Sequence, residues 1–179
     1  MNLILTLWLA LLPAQIITDL NMPSLDFEAK AFQQAFNDAA GEVRIISLMS
    51  PTWGHCLQAG SEVQRVIAKY PNAKVKIFVL WGPYLELDNR EQAMRASAYM
   101  PGRRVISFWD DWKFVYRAYS EQLGLTHYDA WDLFAVYEPG AVWTDAPPPM
   151  LTWFQNRNLD QGERYTMEDM EETLRPWLK

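Results

Sequence analysis

Apolar and polar positions recur along this chain with helical and strand-like periods in turn. Leu25, Ala29, Phe32, Phe36 and Ala39 fall at spacings of three and four, which places them on one face of a helix. Ser24 is its expected cap and Gly41 its stop, so the pattern predicts a helix over about 24–40. Val43 to Met49 is largely apolar and rich in β-branched residues, the signature of a buried strand. A second helical stripe follows in Cys56, Ala59, Gly60, Val63, Val66, Ile67 and Tyr70, with Gly60 allowing close approach to a neighbour. Val75 to Leu80 is the next strand. Asp88 and Glu91 have capping-box spacing for a helix over about 89–99, stopped by Pro101-Gly102. A strand from Arg104 to Trp109 then leads to Asp110 or Asp111 as the cap of a helix from Trp112 to Leu123, closed by Gly124.

The carboxyl-terminal third has a different texture. Asp132 to Tyr137, the turn Glu138-Pro139-Gly140, and Ala141 to Trp143 predict a hairpin. Residues 144–165 carry three consecutive prolines and then a polar, arginine-bearing stretch. They are expected to form a surface loop or arm anchored by Trp153 and Phe154. Thr166 and Asp169 cap a last helix whose apolar side holds Met167, Met170, Leu174 and Leu178. Strands alternating with helices imply an α/β domain, with Val43–Met49, Val75–Leu80 and Asp132–Tyr137 in one sheet.

Composition narrows the picture. A chain of 179 residues, half of them apolar, fits one domain with a sizeable core. The net charge of -6 and the lack of a basic run speak against a nucleic-acid partner. One cysteine and two histidines, His55 and His127, leave no recognisable metal-ligand set, so neither metal nor cofactor is expected. Leu3 to Leu12 is almost unbroken apolar sequence, too short for a span but suited to a signal-peptide core, although Met1-Asn2 lacks a basic residue. The expected organisation is therefore a signal peptide over 1–14, a tether over 15–23, and one domain over 24–179 with an extension from about 144. Export to the periplasm or beyond the cytoplasm follows, with membrane contact only through the N-terminal segment where it stays uncleaved.

The chemistry concentrates in one turn. Between the strand Val43–Met49 and the helix stripe lies Ser50-Pro51-Thr52-Trp53-Gly54-His55-Cys56. The unpaired N–H groups and positive dipole end of a helix favour a thiolate over a thiol, and a protonated His55 adds to this. Against that, Cys56 falls on the core-facing stripe, where a cysteine more often serves as an inert small hydrophobe. Trp81 follows a strand end and Trp109 closes the strand from Arg104, while Trp131 stands just before the strand Asp132–Tyr137; all three are candidate pocket walls. One weaker candidate activity is a one-cysteine peroxidase at Cys56.

Trp53-Gly54-His55-Cys56 resembles the C-x-x-C turn of thioredoxin-like proteins, and the whole turn is similar to the S-P-T-U-G-H-C turns of exported selenoprotein members, apart from Trp53. The order of elements over about 42–143 follows the same family rhythm. The resemblance implies a three-layer α/β thioredoxin-like fold with a mixed central sheet, here with an extended C-terminal arm and helix. It implies thiol-disulfide or selenol-thiol exchange in which residue 53 attacks and Cys56 resolves. His55, Pro51, Thr52 and Gly54 complete the turn, and the partner is a thiol- or disulfide-bearing protein or a small thiol. Two departures stand out. Tryptophan cannot act as a nucleophile, so either a UGA selenocysteine codon is here read as tryptophan or the domain is a redox-inactive binding module with an aromatic surface. Also, Trp131 stands where the family has a cis-proline facing the active-site pair.

Overall fold

The computed structural model describes residues 22–125 and 129–179. The expected signal segment, nearly all of the tether, and His127 lie outside the described residues. Four strands form the body of one sheet: β1 (Val43–Met49), β2 (Val75–Trp81), β3 (Val105–Trp109) and β4 (Leu133–Tyr137). Two short strands, β5 (Thr152–Gln155) and β6 (Glu163–Arg164), extend it. The spatial order is β3-β2-β1-β4-β5-β6, with β1, β2 and β3 parallel and β4 antiparallel to β1. Among the described residues the α-helices are α1 (Lys30–Asp38), α2 (Gly54–Ala68), α3 (Arg90–Ala96), α4 (Phe114–Gln122) and α5 (Met167–Leu174).

Strand β1 is buried at every position because helices cover both faces of the sheet, and so its sequence reads as a continuous run. Val43, Ile45 and Met49 point into a core shared with Cys56, Val63 and Ile67 of α2 and Met170 and Leu174 of α5. Ile46 and Leu48 point the other way, toward Phe32 and Phe36 of α1 and Tyr116 and Tyr119 of α4. The result is the three-layer α/β arrangement with a mixed sheet. The close approach expected at Gly60 is real: a Cβ there would lie 2.6 Å from Met100 Sδ. Thr166 caps α5 by accepting from Asp169 N at 3.0 Å.

Three local expectations are corrected. Ser24 does not start α1; residues 23–25 lie along the outer edge of β3, where Trp109 N donates to Pro23 O and Leu25 N donates to Trp109 O. That edge would otherwise present unpaired backbone groups. Asp26 accepts from Lys30 N instead. The helix expected over 89–99 is capped by Asn89, which accepts from Gln92 N, so Asp88 is free for another task. Ala141 to Trp143 is not a strand. Its backbone is held by side chains: Asn37 bonds both Trp143 N and O, and the buried Arg44 guanidinium donates to Ala141 O and Glu138 O. The partner of β4 is β5, in antiparallel register Phe134↔Phe154, so the stretch expected to be a surface arm supplies two strands of the sheet.

Candidate active site

The turn after β1 sits at the carboxyl end of the parallel strands, the side on which α/β sheets place their sites. Its shape is fixed by Asp88. One carboxylate oxygen of Asp88 accepts from Ser50 Oγ at 3.0 Å, Thr52 Oγ1 at 2.6 Å and Thr52 N at 3.2 Å. The other accepts from Tyr84 N at 2.9 Å and Leu85 N at 2.8 Å. One buried carboxylate thereby locks the Ser50-Pro51-Thr52 turn to the loop after β2. Trp53, in extended conformation, is the N-cap residue of α2, and Gly54 and His55 open the helix.

Positions 53 and 56 differ sharply in exposure. Trp53 is 38% exposed and Cys56 is 0% exposed. The buried Cys56 thiol is pushed well above its ordinary range, first by desolvation and then by the charge of Asp132, with a backbone bond from Ser50 opposing the shift. The helix terminus is worth roughly 0.3–1 kcal/mol to an anion, whereas full burial shifts ionisable groups by up to about 3–5 pH units. Burial therefore wins, and the thiolate expected from helix position alone is replaced by a protonated thiol.

Both positions converge on Asp132. Cys56 Sγ donates to Asp132 Oδ1 at 3.2 Å, and Trp53 Nε1 donates to Asp132 Oδ2 at 3.0 Å. Asp132 is 1% exposed and has a left-handed backbone, φ 55°. Its N–H donates to Leu48 O at 2.7 Å, while Asn156 donates to its carbonyl through the backbone and to Oδ1 through the side chain at 3.1 Å. The antiparallel pairing Leu48↔Leu133 brings this carboxylate beside the end of β1. Sequence reasoning missed Asp132 and Asn156. The available signal was Trp131, already placed opposite the active-site pair, whose next residue is an aspartate.

Of the candidate walls, Trp131 lies at the site and the other two do not. Trp131 meets Trp53 edge-on at 6.1 Å, stacks on Tyr84 at 5.1 Å, and carries the Arg157 guanidinium 4.6 Å from its ring centre. Trp81 is wholly buried in the core, and Trp109 is almost so, with its indole N–H turned to Asp111. Both are corrected to core residues: as the last residues of β2 and of the edge strand β3 they point into the layer beneath α2 and α3. His55 is exposed, its ring 5.2 Å from that of Trp53. Among the described residues no cluster of three His, Cys, Asp or Glu side chains is arranged to hold a metal ion, and no helix is long and apolar enough to cross a membrane.

No protein-family model matches the chain, and no curated protein matches it by sequence. Solved structures do match its shape. The chain is similar to a secreted disulfide oxidoreductase of Mycobacterium tuberculosis, itself homologous to E. coli DsbE, with a TM-score of 0.53 at 9% identity, covering 89% of this chain and 98% of that one. It is similar to DsbF of M. tuberculosis, with a TM-score of 0.50 at 13% identity over 90% and 97% of the two chains. A thioredoxin-like protein from Aeropyrum pernix gives a TM-score of 0.51 at 13% identity over 76% and 78%. The fold is thioredoxin-like, as the turn and the order of elements led us to expect.

Proposed function

We propose that the domain is an exported thiol-disulfide or selenol-thiol oxidoreductase in which position 53 is natively selenocysteine or cysteine. The observation that carries this reading is Asp132. One buried carboxylate accepts from the thiol of Cys56 at 3.2 Å, where it can take that thiol's proton, while position 53 stands exposed at the start of α2.

The chemistry then runs in two displacements. A selenolate or thiolate at position 53, exposed at the α2 N-terminus, attacks one sulfur of a substrate disulfide. The substrate S–S bond breaks, and the departing sulfur leaves with the electron pair and takes up a proton. Cys56 next passes its proton to Asp132, and its sulfur attacks residue 53. A bond between 53 and 56 forms, the substrate's second sulfur leaves, and the proton on Asp132 is available to it. The substrate gains two electrons and the 53–56 pair loses two. The partner is a protein or small molecule bearing a thiol or disulfide.

A specific observation favours a second reading. The Trp53 indole is well seated, bonded to Asp132 and edge-on to Trp131, as suits a redox-inactive module that binds through aromatic side chains. Trp53→Cys separates the two. On the exchange reading the variant forms a reversible disulfide with Cys56, with a potential in the thioredoxin-like spread of roughly −270 to −120 mV. A folded variant with neither disulfide nor exchange activity leaves the binding reading in place. Sequencing the codon for residue 53, and mass spectrometry of the exported protein for a terminus near Gln15, test selenocysteine and export directly.

A further inference from the structure

Large apolar side chains stay in water at the carboxyl ends of the parallel strands: Phe27 is 74% exposed, Trp112 59% and Trp53 38%. Single exposed hydrophobics are ordinary, but a connected set marks an interaction surface. These three are connected. Ser24 bridges Trp109 in parallel, so the chain carries Phe27 out past the end of β3. There its ring stacks on Trp112 at 6.2 Å and meets Phe114 at 4.8 Å. Lys113, between those two and left-handed at φ 57°, sends its ammonium the other way, over the Tyr84 ring at 5.1 Å and onto Asp129 at 3.1 Å. Tyr84 stacks on Trp131, and Trp131 meets Trp53 edge-on. An unbroken row of neighbours thus runs from position 53 to Phe27.

The far end of the row has a seat. Between the starts of α1 and α4 opens a cavity of about 390 Å³ whose apolar wall is Phe27, Ala29, Phe32, Phe114, Val115 and Trp143. Pockets of that kind take the aromatic or aliphatic anchor of a bound chain. Strand β2 separates β1 from β3, so strand spacing alone puts their ends about 10 Å apart, and Phe27 lies beyond. A small thiol with its sulfur at position 53 does not span that gap, whereas an extended chain covers it in about three residues or more. We propose that the row is the docking surface for an extended segment of a polypeptide substrate. Its reacting cysteine meets position 53, and a large apolar side chain about four residues away seats against Phe27 and Trp112. This inference rests on the exchange reading and narrows its substrate class to polypeptides. Continuity with position 53 favours this occupant over a second copy of the chain or a lipid surface, since neither needs contacts that lead to the reacting residue.

The test gives the Trp53→Cys protein short peptides that share one cysteine, disulfide-bonded to 2-mercaptoethanol. They differ at one place about four residues before or after it, which holds tryptophan or serine. The quantity read is the ratio of second-order rate constants, tryptophan over serine. For one of the two placements it should reach about ten, and Phe27→Ser and Trp112→Ser, both at exposed positions, should each bring it toward one. A ratio near one for both placements, or a preference that survives both variants, overturns the surface and leaves the exchange reading intact. Should no peptide react, the exchange reading fails, and binding alone decides the surface. The tryptophan-bearing peptides, with serine for their cysteine, are then titrated into the chain with Trp53. One should move the indole N–H resonance of Trp112, an effect lost in Phe27→Ser. No movement, or movement that survives Phe27→Ser, overturns the surface. A Phe27-dependent dimer, or attachment to phosphatidylcholine vesicles, with no preference among the peptides also overturns it and gives the face to that occupant.

Discussion

Two buried carboxylates flank the same turn, and they are held in opposite ways. Asp88 receives five hydrogen bonds, three of them from backbone N–H groups of Thr52, Tyr84 and Leu85. Those donors cannot move without unfolding the loop, so Asp88 is a fixed fastener. Asp132 receives its side-chain bonds only from side chains: a thiol, an indole and an amide. Such donors can be exchanged or deprotonated while the backbone stays in place. The contrast separates a carboxylate that makes the shape from one that can take part in chemistry, although both are buried.

The most severe way to break this comparison is Asp88→Ala. It strands several buried donors at once and should cost about 3–5 kcal/mol, read as a lower urea midpoint with unchanged slope. A loss under about 1 kcal/mol would show that the turn does not depend on Asp88. Asp132→Asn should do the reverse: a stability change of no more than about 2 kcal/mol, since asparagine accepts the left-handed backbone, yet exchange slowed more than about tenfold in the Trp53→Cys background. Equal effects on folding and rate would erase the distinction between the two acids.

Cys56 sharpens it through pH. The ordinary value for a thiol is 9.0 and for the buried tyrosines 10.0. Below the first value both folded and unfolded chains keep the thiol proton, and Cys56 contributes no pH dependence. Above it the unfolded chain loses that proton while the folded chain holds it, because the folded thiol is pushed well up. Stability should therefore fall as pH rises from about 9 to 10, by up to about 1.4 kcal/mol, and Cys56→Ala should flatten that slope. The smallest expected effect concerns His55. In Trp53→Cys, replacing His55 by alanine should raise the apparent pKa of the introduced thiol by a fraction of a unit, followed by alkylation rate against pH. A shift in the other direction would remove His55 from the site.

Much of the frame was legible in the sequence because local pattern and burial agree there. Val43–Met49 is a strand at the predicted residues, and the stripe from Cys56 to Ile67 faces the core as its spacing requires. The misreadings came where distant partners decide. Ser24 looks like a helix cap until the edge of β3 claims its neighbours. Ala141 to Trp143 looks like half of a hairpin until Arg44, 97 residues from Ala141, captures its carbonyl. Asp132 is 76 residues from Cys56, and only strand pairing reveals that they meet. No spacing rule in one sequence encodes that contact.

The left-handed backbone at Asp132 has a consequence for anyone who evolves this protein in the laboratory. Glycine at 132 would relieve a backbone cost of about 1 kcal/mol, but it would leave the Trp53 indole, the Cys56 thiol and the Asn156 amide without their acceptor, at about 1–3 kcal/mol for each donor left buried. A library sorted only for yield of folded protein should therefore avoid glycine and admit asparagine, which keeps both a tolerated left-handed backbone and a side-chain acceptor. The same library sorted for disulfide exchange should hold aspartate alone. Which of the two residues a screen returns would then report whether it selected for folding or for chemistry.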